Sequence, residues 1–104
     1  MNPTIIITWT AERSYIRIVD PESRDNNWGI ISPTKGQLAL RPTLRDLLIR
    51  AGTYGEKTWG DGPGRHGGVQ DYQHSDGFTC PDCAVGYIAR SLGKLGYPVL
   101  DLRQ

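Results

Sequence analysis

The chain has 104 residues, a formal net charge of +1 and 38% hydrophobic residues. This length allows one domain with a modest core, and the near-neutral charge argues against a protein that binds nucleic acid mainly by releasing counterions.

No stretch reaches the roughly 18 apolar residues of a membrane span, and residues 1–4 lack the basic region and cleavage site of a signal peptide. Two cysteines in a C-x-x-C pair are not a secreted disulfide framework. We therefore expect a cytoplasmic protein with reduced thiols.

Residues 1–41 predict an antiparallel β-meander. In residues 4–10, Ile5, Ile7 and Trp9 alternate with Thr4, Ile6 and Thr8, which is the period of a strand with one buried face. A turn at Pro33 to Gly36 separates the last two strands. The four predicted strands span residues 4–10, 14–19, 28–32 and 37–41.

The next segment, residues 42–52, predicts a short helix. Thr43 is placed as its N-cap and Asp46 at the N3 position, and Gly52 is expected to end it. Its core-facing stripe has helical spacing and comprises Leu44, Leu47, Leu48 and Ala51.

A glycine-rich loop is predicted for residues 53–79. Eight of the thirteen glycines lie between Gly52 and Gly77, and Val69 is the only aliphatic side chain there. A loop this long in a compact domain is uncommon unless it is functional, and glycine loses much backbone entropy when it is ordered. We expect a metal ion or a partner to order this loop.

Residues 80–104 predict a knuckle, a second helix and a final strand. Pro81 suits the first helical position, and Asp82 complements the helix dipole. Gly93 or Gly96 is expected to end the helix, and residues 97–102 to return to the sheet. The apolar stripe of this helix is Val85, Ile88, Ala89 and Leu92. The predicted fold class is α+β.

Both histidines and both cysteines fall within 18 residues, in the pattern H-x7-H-x5-C-x2-C. Two thiolates and two imidazoles suit tetrahedral zinc, and a site closed by four protein ligands is normally structural. The predicted zinc ligands are His66, His74, Cys80 and Cys83, with Asp71, Asp76 and Asp82 as substitutes. The alternative is two solvated histidines and two small, partly buried thiols.

Residues 78–102 resemble a segment of the glutaredoxin or thioredoxin families. F-T-C-P-D-C opens a helix, L-G-K-L-G-Y-P ends it, and V-L-D-L follows as a strand. The resemblance covers about a quarter of the chain. It implies that Cys80 is the nucleophilic thiol and that Cys83 is the resolving thiol.

A recognition surface is predicted from aromatic and arginine side chains. Trp9 is assigned to the core, whereas Trp28 and Trp59 are suspected interface anchors. The predicted partner-binding residues are Trp59, Arg65, Tyr72, Arg41 and Arg45. For the arginines, a solvated helix face is the competing explanation.

These features give three hypotheses for the function. The first is a zinc-stabilised adaptor or inhibitor of a protein partner, with a viral source as one option and no membrane role. The second is a thiol-disulfide oxidoreductase that uses the C-P-D-C pair. The third is a zinc-containing module that binds nucleic acid through the arginines and the loop aromatics.

Overall fold

The computed structural model describes residues 2–23, 27–33, 37–51, 70–72, 75–77 and 81–103. In chain order, the elements of these segments are β1 (Ile5–Trp9), β2 (Ile16–Val19), β3 (Asn27–Ser32), β4 (Gln37–Leu40), α1 (Pro42–Arg50), β5 (Gln70–Tyr72), β6 (Ser75–Gly77), α2 (Pro81–Lys94) and β7 (Val99–Asp101).

The described strands form one mixed sheet in the order β5-β6-β4-β3-β2-β1-β7. Strands β1 and β7 are parallel, and every other neighbouring pair is antiparallel. One buried cluster joins the inner face of the sheet to both helices. The α+β class, the four-strand meander and the two helices are therefore confirmed.

The alternation of isoleucines explains the centre of the sheet. Ile7 lies opposite Ile18, Ile16 lies opposite Ile31, and all four side chains are fully buried. Residues directly opposite each other lie on the same face of a sheet, so each pair adds to one apolar layer under the helices.

A β-bulge in β3 places Trp28 in the core. Gly29 lies opposite Ile18 and Asn27 lies opposite Val19, so Trp28 is the extra residue between them. Its side chain is 6% exposed, and its ring meets that of Tyr97 edge-on at 5.8 Å between centroids. The prediction that Trp28 is an interface anchor was wrong, because period two alone does not reveal a bulge.

The N-cap of helix α1 lies two residues before the predicted one. Arg41 is its N-cap in an extended conformation, and Pro42 occupies the first turn without a side-chain cap bond. Thr43 is therefore inside the helix, and its predicted capping role was wrong. At the other end, the Nζ of Lys94 donates to the C=O of Ala51 at 3.3 Å, which ties α1 to α2.

Glycine at position 29 lets α1 pack closely on β3. A Cβ there would lie 3.3 Å from Cδ2 of Leu44 and 3.3 Å from the C=O of Ala39. These distances are shorter than ordinary van der Waals contact, so a side chain at this position would push α1 away from the sheet.

The predicted glycine-rich loop contains a hairpin. Strands β5 and β6 pair with each other, and β6 pairs with β4. The prediction of an uninterrupted loop over residues 53–79 was therefore wrong for residues 70–72 and 75–77, which form strands. These strands have no apolar alternation, and their neighbour β4 is remote in sequence, so the local pattern did not indicate them.

Helix α2 ends in a Schellman motif. The N–H of Tyr97 donates to the C=O of Leu92, and that of Gly96 donates to the C=O of Gly93, both at 3.0 Å. Gly96 has φ +89°, a conformation that glycine adopts without strain. The chain then enters β7, which confirms the final strand. In the described segments, neither helix is long and apolar enough to cross a membrane.

Candidate functional site

Cys83 lies in the first turn of α2, and its sulfur is disulfide-bonded. Its side chain is half-buried. Cys80 is the one other cysteine in the sequence and lies outside the described residues. A disulfide sulfur is not a thiolate, and thiolate is the form in which cysteine binds zinc. The C-P-D-C segment is thus in its oxidised form at Cys83.

The first turn of α2 explains why this position suits thiol chemistry. Pro81 is the first helical residue, where its fixed φ and missing N–H cost the helix nothing. The free N–H groups of the first turn carry the positive end of the helix dipole, which favours a thiolate there when the disulfide is reduced.

Arg103 joins the start of α2 to the end of β7. Its Nη1 donates to Asp82 at 2.8 Å, and its Nε and Nη2 donate to the two carboxylate oxygens of Asp101, both at 2.9 Å. The Arg103 side chain is 17% exposed, whereas that of Asp82 is 87% exposed. The guanidinium is therefore held mainly by Asp101, with Asp82 as an outer partner.

The same contacts perturb the ionisation of this pair. The side-chain hydrogen bond from Arg103 lowers the pKa of Asp101 below its ordinary value, against a smaller opposing effect of burial. The bond to Asp101 in turn raises the pKa of Arg103, although burial opposes the rise. Asp101 and Arg103 are thus both charged at neutral pH and compensate each other beside the C-P-D-C segment.

Arg103 was not among the predicted site residues. Asp101 and Arg103 are two positions apart, the spacing that places side chains on one face of an extended chain, so their pairing had a local signal. The contact with Asp82 had no such signal, because 21 residues separate it from Arg103.

Most of the predicted zinc ligands lie outside the described residues. This applies to His66, His74 and Cys80, while Cys83 is disulfide-bonded. Within the described segments, no group of three or more His, Cys, Asp or Glu side chains could hold a metal ion. The four-ligand zinc site therefore stays a prediction.

Three of the five predicted partner-binding residues lie in the described part of the chain. Trp59 and Arg65 lie outside the described residues, and Tyr72 lies in β5, paired in register with Ser75. Arg41 and Arg45 flank the start of α1, where the N–H of Arg45 donates to the C=O of Arg41 at 3.0 Å. Arg41 is exposed, whereas Arg45 is half-buried, and both have interaction partners in the fold. The recognition surface stays a prediction.

The strands on either side of α2 do not pair with each other. Strand β6 precedes the C-P-D-C segment and lies between β5 and β4, whereas β7 follows α2 and lies beyond β1. A strand-helix-strand unit with adjacent parallel strands is therefore not formed around α2. The resemblance to glutaredoxin and thioredoxin is limited to the helix, its cysteines and the strand after it.

Comparisons with protein-family models, with curated proteins and with solved structures found no significant match to this chain.

Proposed function

We propose that the chain is a thiol-disulfide exchange protein that acts through Cys80 and Cys83. The observation that carries this proposal is the disulfide at Cys83, in the first turn of α2. A C-x-x-C pair at a helix N-terminus favours thiolate in the reduced state and closes readily to a disulfide in the oxidised state. Both states of an exchange cycle are therefore chemically accessible to this segment.

In the proposed cycle the thiolate of Cys80 attacks one sulfur of a substrate disulfide. The substrate S–S bond breaks, a mixed disulfide forms at Cys80, and the released substrate thiolate takes up a proton. Cys83 then loses its proton and attacks the sulfur of Cys80, which releases the second substrate thiolate. Two electrons pass to the substrate, and a low-molecular-weight thiol reduces the resulting Cys80–Cys83 disulfide for the next cycle.

Arg103 supports this chemistry because its positive charge, held mainly by Asp101, also contacts a carboxylate inside the motif. Asp82 lies between the two cysteines, and a nearby negative charge disfavours a thiolate. The bond of 2.8 Å from Arg103 to Asp82 places a positive charge against that carboxylate. The cation also ties the start of α2 to β7, so the motif is attached to the sheet.

Cysteine substitutions test the proposal directly. We expect the reduced wild-type protein to reduce a low-molecular-weight disulfide, and Cys80→Ser to abolish this reaction. Cys83→Ser should instead accumulate a mixed disulfide at Cys80, detected by intact-protein mass spectrometry. A reduced wild-type protein without measurable exchange would remove the proposal.

A zinc-stabilised binding protein is the second candidate. It is supported by the sequence spacing H-x7-H-x5-C-x2-C, which places two imidazoles and two thiols within 18 residues. In this form the reduced cysteines and His66 and His74 hold zinc, and the ordered loop binds a protein partner. A cytoplasmic location fits either candidate and stays a prediction.

Metal content separates the two candidates. The second predicts one zinc ion per chain in protein purified under reducing conditions, with chelation loosening residues 53–83 in hydrogen exchange while the meander keeps its protection. Zinc-free reduced protein with full exchange activity would leave the first candidate alone.

A further inference from the structure

Strand β7 lies at one edge of the sheet, and its backbone alternates between two directions. The N–H of Ile5 donates to the C=O of Pro98 at 2.8 Å, and the N–H of Leu102 donates to the C=O of Ile7 at 2.8 Å. Since strand backbones alternate with period two, positions 98, 100 and 102 face β1. The backbone groups of Val99 and Asp101 face away from the sheet.

These outward backbone groups are available for pairing. In the part of the chain that the structure describes, no hydrogen bond is formed by the N–H or C=O of Val99 or of Asp101 on that side. A strand edge of this kind is a template for another extended chain, which gains main-chain hydrogen bonds by pairing with it.

The side chains along β7 favour a polypeptide at this edge. Leu100 is 48% exposed and Leu102 is 50% exposed, and large apolar side chains at an edge stabilise cross-strand pairs. Charges usually protect such edges from pairing. Here the one carboxylate in the strand, Asp101, is engaged by Arg103, which leaves the outer backbone unobstructed by a free charge.

The same edge ends at the C-P-D-C segment. Arg103 lies two residues after the end of β7 and bonds both to Asp101, the last residue of β7, and to Asp82, between the two cysteines in sequence. The distance from the last outward backbone group to the motif is therefore spanned by one arginine side chain. A chain paired with β7 would therefore end close to Asp82, the residue before Cys83.

We propose that β7 binds an extended, disulfide-bearing segment of a polypeptide substrate as one further strand of the sheet. This inference rests on the exchange function proposed above and assigns its substrate class, a polypeptide disulfide in preference to a small-molecule disulfide. Main-chain hydrogen bonds to Val99 and Asp101 provide affinity without a defined sequence, and Leu100 and Leu102 favour an apolar residue next to the substrate cysteine.

A trapped complex gives the most direct test. The Cys83→Ser variant is coupled through Cys80 to a peptide with a single cysteine in an apolar, extended sequence, and in parallel to free cysteine as the control. We expect the peptide adduct to slow amide hydrogen exchange at Val99 and Asp101 by at least about fivefold relative to the control. The amides of Leu100 and Leu102 already face β1 and should change little. Equal exchange at Val99 and Asp101 in both adducts would overturn the inference.

A substitution pair tests the same edge in the intact protein. Leu100→Glu places a charge on the proposed docking edge, and Ile49→Glu places one on α1, where Ile49 is 55% exposed. We expect Leu100→Glu to raise KM for a disulfide-bearing peptide about threefold to fivefold, with unchanged reduction of a low-molecular-weight disulfide. Ile49→Glu should change neither. A loss of both activities in Leu100→Glu, or of neither, would contradict docking at β7.

The exchange function and the docking edge can be disproved separately. Wild-type protein that reduces small disulfides but shows no preference for the peptide overturns the docking edge and leaves the exchange function intact. Wild-type protein that reduces neither substrate removes the exchange function, and the docking edge with it.

Discussion

The central strands and the corner around β7 are built from different interactions. Ile5, Ile7, Ile16 and Ile18 are fully buried in the centre and make contacts of low directionality. At the corner, the first turn of α2 and β7 are joined by hydrogen bonds from one guanidinium to two carboxylates, with exposed leucines beside them. Apolar burial supplies most of the folding free energy, whereas partly exposed ion pairs supply little. The centre therefore maintains the fold, and substitutions at the corner should cost less stability.

The largest expected effect on stability is in the centre. Ile18→Ala should lower the free energy of unfolding by about 3 kcal/mol, because it removes a fully buried side chain and leaves a cavity. Ile49→Ala is the control and should change it by less than about 0.5 kcal/mol, since Ile49 is 55% exposed. Urea denaturation measures both. An equal loss of unfolding free energy in the two variants would contradict the assignment of Ile18 to the core.

Two glycines allow a closely packed position to be compared with an open one: Gly29 lies close to α1, and Gly93 faces open space. Gly29→Val should destabilise the protein by about 1–3 kcal/mol, because the new side chain meets Leu44 and the backbone at Ala39. Gly93→Ala should stabilise it by about 0.5–1 kcal/mol, because an added Cβ at this helical position has no atom within 4 Å. Thermal melts of the two variants should therefore shift in opposite directions. A melting temperature of Gly29→Val at or above that of the wild type would mean that α1 does not press on β3.

The two ion pairs of Arg103 at the corner should contribute less to stability than the core does, and they should contribute unequally. In double-mutant cycles that combine Arg103→Gln with Asp101→Asn or with Asp82→Asn, the coupling to Asp101 should be about 0.5–1 kcal/mol. The coupling to Asp82 should be nearer zero, because Asp82 accepts one bond and its side chain is 87% exposed. A larger coupling to Asp82 would make the start of α2, and not β7, the main support of the guanidinium.

The smallest expected effect is a dependence of the folding stability on pH, caused by Asp101 at the same corner. The folded-state pKa of Asp101 is lowered from its ordinary value of 3.8, chiefly by the bond from Arg103. Its contribution to stability is therefore present above about pH 4 and is lost as the pH falls through the lower, folded-state pKa. Asp101→Asn should lower Tm slightly at pH 7, and this loss should shrink progressively as the pH falls below about 4. Asp46→Asn, at an exposed position on α1, is the control. A loss of Tm that does not shrink in acid would show that the charge of Asp101 is not used.

Local patterns predicted the parts of the fold that bury apolar faces. Alternation in residues 4–10 and the helical stripe from Leu44 to Leu48 were sufficient, because a side chain repeat of two or 3.6 residues specifies which face meets the core. The prediction was wrong at Thr43 and Trp28. Pro42 starts the helix one residue before Thr43, and a bulge turns Trp28 inward. Neither the early helix start nor the bulge changes the period of the apolar residues enough to be detected in a single sequence.

The sequence by itself determined the α+β class, the meander, both helices and the position of Cys83 at a helix start. Only the tertiary structure decided that β7 pairs with β1 and that β6 pairs with β4, and only it brought Arg103 to Asp82. The reason is physical: helices and strands follow from contacts between near neighbours in the chain. Strand order and the Arg103 contacts depend on residues far apart in sequence, whose proximity is set by packing of the whole domain.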